Sequence, residues 1–123
     1  MNQFSSNKTN YDLEERTAVF AEKIIDFVKS LKETAVNRKI ISQLVGSSGS
    51  IGANYCESTE AESKKDFIHK IGVSKKETKE IKYWLRLLAR VHPEHKEVVR
   101  EFWTESHELL LIFSKINRTS RNN

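Results

Sequence analysis

Lys75, Lys79, Lys82, Arg86 and Arg90 follow one another at steps of four, three, four and four. On an α-helix those steps keep all five cations on one face. Such a row suits a polyanion, because each phosphate contact releases condensed counterions and makes binding salt-dependent. Lys64 and Lys65 add charge near the start of the same segment. The competing reading is a solvated helix face, with Glu77 and Glu80 near enough to dilute the field by i,i+3 or i,i+4 pairing. The formal net charge of +4 is unevenly placed: residues 64–92 hold nine Lys/Arg against three Asp/Glu, whereas residues 93–123 hold five of each. A nucleic-acid partner, RNA or DNA, is therefore sought on this segment.

Asn54 and Glu57 lie three residues apart, close to Glu60 and Glu62. A polar pair with neighbouring carboxylates can do acid–base work or hold a cation. It can equally be a hydrogen-bonded helix end, or a charge partner for the basic segment. Of the four His, none completes the Glu-x-x-His pattern that a di-metal bundle needs; Asp66-x-x-His69 is the nearest approach and occurs once. His92 and His95 sit about Pro93 at a turn, and His107 has no evident partner. The glycine-rich run Gly46–Gly52 is followed by no Gly-Lys-Ser/Thr and preceded by no strand, so it is a poor phosphate-cradling loop. Cys56, the lone cysteine, has no adjacent base to activate it. It cannot form an internal disulfide, which favours a reducing, cytoplasmic setting. No signal-like or membrane-length apolar run, which needs about 18 residues, is present. The expectation is a protein without a catalytic site, metal or cofactor.

The elements that position these residues show as apolar seams at alternating steps of three and four, the pattern of bundled helices. The first seam is Leu13, Thr17, Phe20, Ile24, Phe27 and Leu31. The second is Ile41, Leu44, Ser48, Ile51, Tyr55 and Ser58. The third is Phe67, Ile71, Ser74, Thr78, Ile81, Leu85 and Leu88, and the fourth Val99, Phe102, Ser106, Leu109, Phe113 and Ile116. Asn37 is placed to N-cap the second helix. Ser63, with Asp66 three residues on, can cap the third, and Pro93 suits the first turn of the fourth. The third helix should run about 28 residues, or ~42 Å. Short connections force antiparallel neighbours, so the fold expected over residues 11–117 is an all-α, up-down-up-down four-helix bundle. Residues 1–10 and 118–123 read as flexible polar termini. Glycine propensity argues for a loop at Gly46–Gly52. The seam nevertheless runs through without a slip, and Gly46, Gly49 and Ala53 share one side that could admit a close neighbour. Trp84 and Trp103 read as core or interface anchors before they read as base-stacking platforms. Leu110, Leu111 and Ile112 give the fourth helix a second apolar face, which implies a further partner.

Residues 50–88 carry a resemblance. Ser50-Ile51-Gly52-Ala53-Asn54, then Glu57 and Ala61, then Lys65-Asp66-Phe67-Ile68, and finally Tyr83-Trp84-Leu85 are similar to the pattern of a bacterial four-helix-bundle family. That family takes its name from proteins encoded in intervening sequences of large-subunit ribosomal RNA genes. The resemblance implies a helical glycine segment and a ring assembly, typically a homopentamer, with no established enzymatic activity. The accessory proteins of diversity-generating retroelements resemble the family in fold; they are basic pentamers that bind nucleic acid and a reverse transcriptase. Extending that role to this chain is analogy of fold. Three functions stay open: a homo-oligomer binding RNA or DNA through the third helix, a protein–protein assembly module, and an enzyme using Asn54 and Glu57.

Overall fold

The computed structural model describes the backbone of residues 9–122 and the side chains of residues 13–122. Four helices follow in order: α1 (Thr9–Lys29), α2 (Arg38–Ser58), α3 (Lys64–Val91) and α4 (Lys96–Asn122), with a 3-10 turn at Pro93–His95. Among the described residues there is no strand, and no helix is long and apolar enough to cross a membrane. Cross-contacts set the topology. Glu57 meets Lys70 while Ile51 meets Ser74; Ile68 meets Asn117 while Lys82 meets His107. Arg16 meets Glu105, Phe20 meets Phe102, and Phe27 meets His95. In each set the numbers rise on one helix as they fall on its neighbour, so α2–α3, α3–α4 and α1–α4 are all antiparallel.

The seams become the core. Leu13, Phe20, Ile24, Leu44, Ile51, Tyr55, Ile71, Ile81, Leu85, Leu88, Val99, Phe102, Leu109 and Phe113 are buried. Phe20 and Phe27 close on Phe102 at ring distances of 6.2 and 5.8 Å, and Tyr55 on Phe113 at 6.1 Å. The small polar seam residues are buried too, and all but Ser74 bond within their own helix. Thr17 Oγ1 donates to the Leu13 carbonyl, Thr78 Oγ1 to Ser74, and Ser106 Oγ to Phe102. Ser74 Oγ instead crosses to the Ile51 carbonyl of α2 at 2.9 Å. Hydroxyls bonded this way avoid the penalty of an unmet buried polar group while keeping the helices close.

Burial pushes the Tyr55 hydroxyl from 10.0 up to about 12, with Glu14 and Cys56 adding repulsion toward a phenolate. The folded value is raised, so the stability it carries is intact below pH ~10 and is lost as pH rises toward 12. Tyr55→Phe should remove the highest-pH component of the phenolate absorbance titration and flatten the fall in melting temperature above pH 10.

The glycine run is helical, inside α2, as the unbroken seam and the resemblance imply; other local expectations need correction. A Cβ at Gly46 or Gly49 would meet nothing within 4 Å, whereas one at Gly52 would lie 2.8 Å from Thr17 Oγ1. The close approach is thus at Gly52, and Gly46, Gly49 and Ala53 are exposed. Asn37 occupies the N-cap position of α2 but makes no side-chain cap. Its buried amide turns back into the preceding loop: Oδ1 accepts from Thr34 N at 2.8 Å and Nδ2 donates to the Lys32 carbonyl at 3.0 Å. Ser63 does cap α3, accepting from Asp66 N at 3.0 Å. Pro93 opens the 3-10 turn that leads into α4. Residues 118–122, expected as a flexible tail, continue α4, where Arg121 Nε donates to Asn117 Oδ1 at 3.0 Å. Residues 1–8 lie outside the described residues.

Candidate nucleic-acid interface

Ile71, Ser74, Thr78, Ile81, Leu85 and Leu88 turn α3 inward. The cationic row lies roughly 120° round the helix from them by the geometry of 3.6 residues per turn. Lys79, Arg86 and Arg90 are exposed, and Lys75 and Lys82 are half-buried at the edge. Among the described residues none of the five is in an ion pair with a carboxylate. Glu77 and Glu80, expected to dilute the row, fall on the other side of α3 and pair with none of it. Over Lys75 to Arg90 the row spans ~22 Å at ~1.5 Å per residue.

Lys82 joins the row to α4. Its Nζ lies 2.9 Å from His107 Nδ1 and 4.3 Å from the centroid of Trp103. His107 and Trp103 stack at 5.4 Å with planes 8° apart. On the same face of α4 as His107, at offsets of seven and eleven residues, stand Arg100 and Arg118, with Lys96 and Arg121 beside them. None of these four is ion-paired among the described residues either. The carboxylates of α4 look elsewhere. Arg16 of α1 takes Glu105 through both Nε and Nη2, at 2.7 and 2.8 Å, and Glu108 at 2.8 Å. Glu101 and Glu105 line a cleft with Arg16, Phe20 and Lys23 of α1. Arg100 stands at the border, sharing a shallow depression with Glu97 and Glu101. Helix α4 is therefore acidic toward α1, and toward α3 it carries a pair of cations at each end, Lys96 with Arg100 and Arg118 with Arg121, about 27 Å apart. Sequence reading missed these pairs, because five cations and five carboxylates average to nothing along residues 93–123. The offsets of Arg100 and Arg118 from His107 carried the signal.

The other candidate residues make contacts of their own. Asn54 Nδ2 donates to the Ser50 carbonyl of its own helix at 2.9 Å, and Glu57 accepts from Lys70 Nζ at 2.6 Å. Glu57 in turn pushes the Lys70 ammonium up. The two are not brought to one site: Glu57 lines a shallow depression with Glu60, Glu62 and Asp66, and Asn54 does not. Burial, and then Glu14, push the half-buried Cys56 thiol up, away from thiolate chemistry. His92 Nδ1 lies 3.1 Å from Glu94 Oε2, and its Nε2 3.1 Å from Asn37 Nδ2. Among the described residues no cluster of three or more His, Cys, Asp or Glu is arranged to hold a metal.

The molecule is thus an all-helical bundle whose polar resources are spread as surface charge along one groove. The chain belongs to the family of 23S rRNA-intervening sequence proteins, whose pattern matches residues 9–115. A crystal structure of a protein of unknown function from the S23 ribosomal protein family, from Bacteroides thetaiotaomicron VPI-5482, is similar to it. That chain is 30% identical, with a TM-score of 0.77, and the match covers 89% of this chain and 97% of that one. No curated protein matches the chain.

Proposed function

We propose that the chain is a non-enzymatic, cytoplasmic, homo-oligomeric bundle that binds the phosphate backbone of RNA or DNA through its α3–α4 groove. The observation that carries this reading is the cationic row Lys75 to Arg90 on α3, with Lys96 and Arg100 at one end of α4 and Arg118 and Arg121 at the other, all left without carboxylate partners among the described residues. Stable folds neutralise or solvate surface charge; aligned, unneutralised cations along a groove present a field to a polyanion. In a homopentamer each row would be offered five times, so a modest site per protomer gains by multivalency.

Binding should weaken steeply with salt, by about 0.7–0.9 in log K per log salt for each phosphate engaged. Lys79→Glu with Arg86→Glu removes two contacts and adds two repulsions. It should lower affinity roughly 100-fold at low salt and make the salt slope shallower by about 2, read by fluorescence anisotropy. Unchanged retention of the doubly reversed protein on a nucleic-acid column would sink the proposal.

A second reading, a protein–protein assembly module with no nucleic-acid role, draws on the exposed apolar side chains Val45 and Leu111, the latter 56% exposed. It predicts a defined oligomer by light scattering, a specific protein partner, and no salt-dependent nucleic-acid signal.

A further inference from the structure

We infer that Trp103 is a stacking platform for an unpaired base, so that the α3–α4 groove prefers single-stranded nucleic acid to duplex. This rests on the phosphate-binding reading and adds to it a choice of strand. The indole is 40% exposed in the middle of the groove. One of its faces is occupied: the His107 imidazole lies parallel to it, with planes 8° apart. A hydrogen bond to Nδ1 lies near the imidazole plane, so the Lys82 ammonium, 2.9 Å from that nitrogen and 4.3 Å from the indole centroid, sits on the same side as His107. Both contacts lie on one side of the ring, so the exposure it keeps belongs to its opposite face and its edges.

Such a ring is pre-organised, and a base stacking on it loses less freedom to a mobile partner. The surroundings choose the ligand. Lys79 and Arg86 precede and follow Lys82 on α3, and Arg100 stands one turn before Trp103 on α4. An apolar peptide would gain nothing from three cations beside it, and an aromatic side chain would gain cation–π contact but no charge pairing. A nucleotide carries an aromatic face and a phosphate on either side, and uses both. Duplex hides its base faces in its own stack, so it can engage the cations but not the indole.

The test uses the full chain, with 12-nucleotide single strands of RNA and of DNA of one sequence, and their duplexes. Trp103→Ala should weaken single-strand binding roughly tenfold and leave duplex binding unchanged, with Trp103→Phe close to wild type. In a Trp84→Phe background, where Trp103 is the remaining indole, single strand but not duplex should quench its fluorescence at saturation. This second measurement keeps the ring in place and stands whether or not the alanine variant folds. A loss in either the RNA or the DNA arm supports the platform and identifies the strand it takes. Equal effects on single strand and duplex, or an unquenched indole with single strand bound, overturn the platform while the phosphate reading survives. Absence of any salt-dependent binding overturns both.

Discussion

Gly52→Ala should destabilise the bundle by about 2 kcal/mol, although alanine is the better helix former by ~1 kcal/mol. The added Cβ would lie 2.8 Å from Thr17 Oγ1 and 3.3 Å from its Cβ. Thr17 has little room to yield. It is buried, and its hydroxyl is bonded to the Leu13 and Glu14 carbonyls of α1. Helices α1 and α2 would have to separate. Gly49→Ala is the control: its Cβ enters open space, so the propensity gain should appear undiminished as a stabilisation of about 1 kcal/mol. Thr17→Ala combined with Gly52→Ala removes the nearest atom and should show a favourable coupling in a double-mutant cycle. Chemical denaturation of the wild type, the Gly52, Gly49 and Thr17 single variants and the double variant measures these effects. If the Gly52 and Gly49 variants gain stability equally, the tight α1–α2 contact is wrong.

Asn37→Ala should cost more, about 3 kcal/mol, or roughly 10 °C in melting temperature. One buried amide serves three partners: the Thr34 N–H, the Lys32 carbonyl and His92 Nε2. The first two lie in the α1–α2 loop and the third just before the 3-10 turn joining α3 to α4, so the side chain clamps two connections at one end of the bundle. Because Nδ2 donates to it, Nε2 of His92 must be unprotonated, leaving Nδ1 to donate to Glu94. Asn37→Asp keeps the acceptor for Thr34 and offers His92 a charge. It loses the donor to the Lys32 carbonyl and to His92 Nε2, so it should recover only part of the alanine deficit. An alanine variant within 0.5 kcal/mol of wild type would show that the clamp is not holding the loops.

These two residues also mark where the sequence could and could not be read. The seams were legible because burial of a helix stripe imposes a period. Even Ser48, Ser74, Thr78 and Ser106, polar at seam positions, are buried where the period placed them. The start of α3 was legible because a Ser followed by an acid three residues on is a local device. The glycines were not, since the spacing of Gly46, Gly49 and Gly52 says that they are small but not which one faces a neighbour. That depends on the rotation of α2 against α1. Asn37 has the composition of a cap, yet its partners come from 55 residues away as well as from the adjoining loop. The α3 row could be seen along one helix. The α4 cations at either end of the same groove, and the tie from Lys82 to His107 and Trp103, come together only once two antiparallel helices fix their register.

The division of charge across α4 has a consequence at a distance. With Glu105 and Glu108 gathered about Arg16 on one flank and the cations on the other, the protomer carries a transverse dipole moment. Near a polyanion it feels a torque as well as a pull, over roughly the Debye length of ~8–10 Å. An approaching molecule is turned groove-first before contact, which shortens the orientational search that slows association between specific patches.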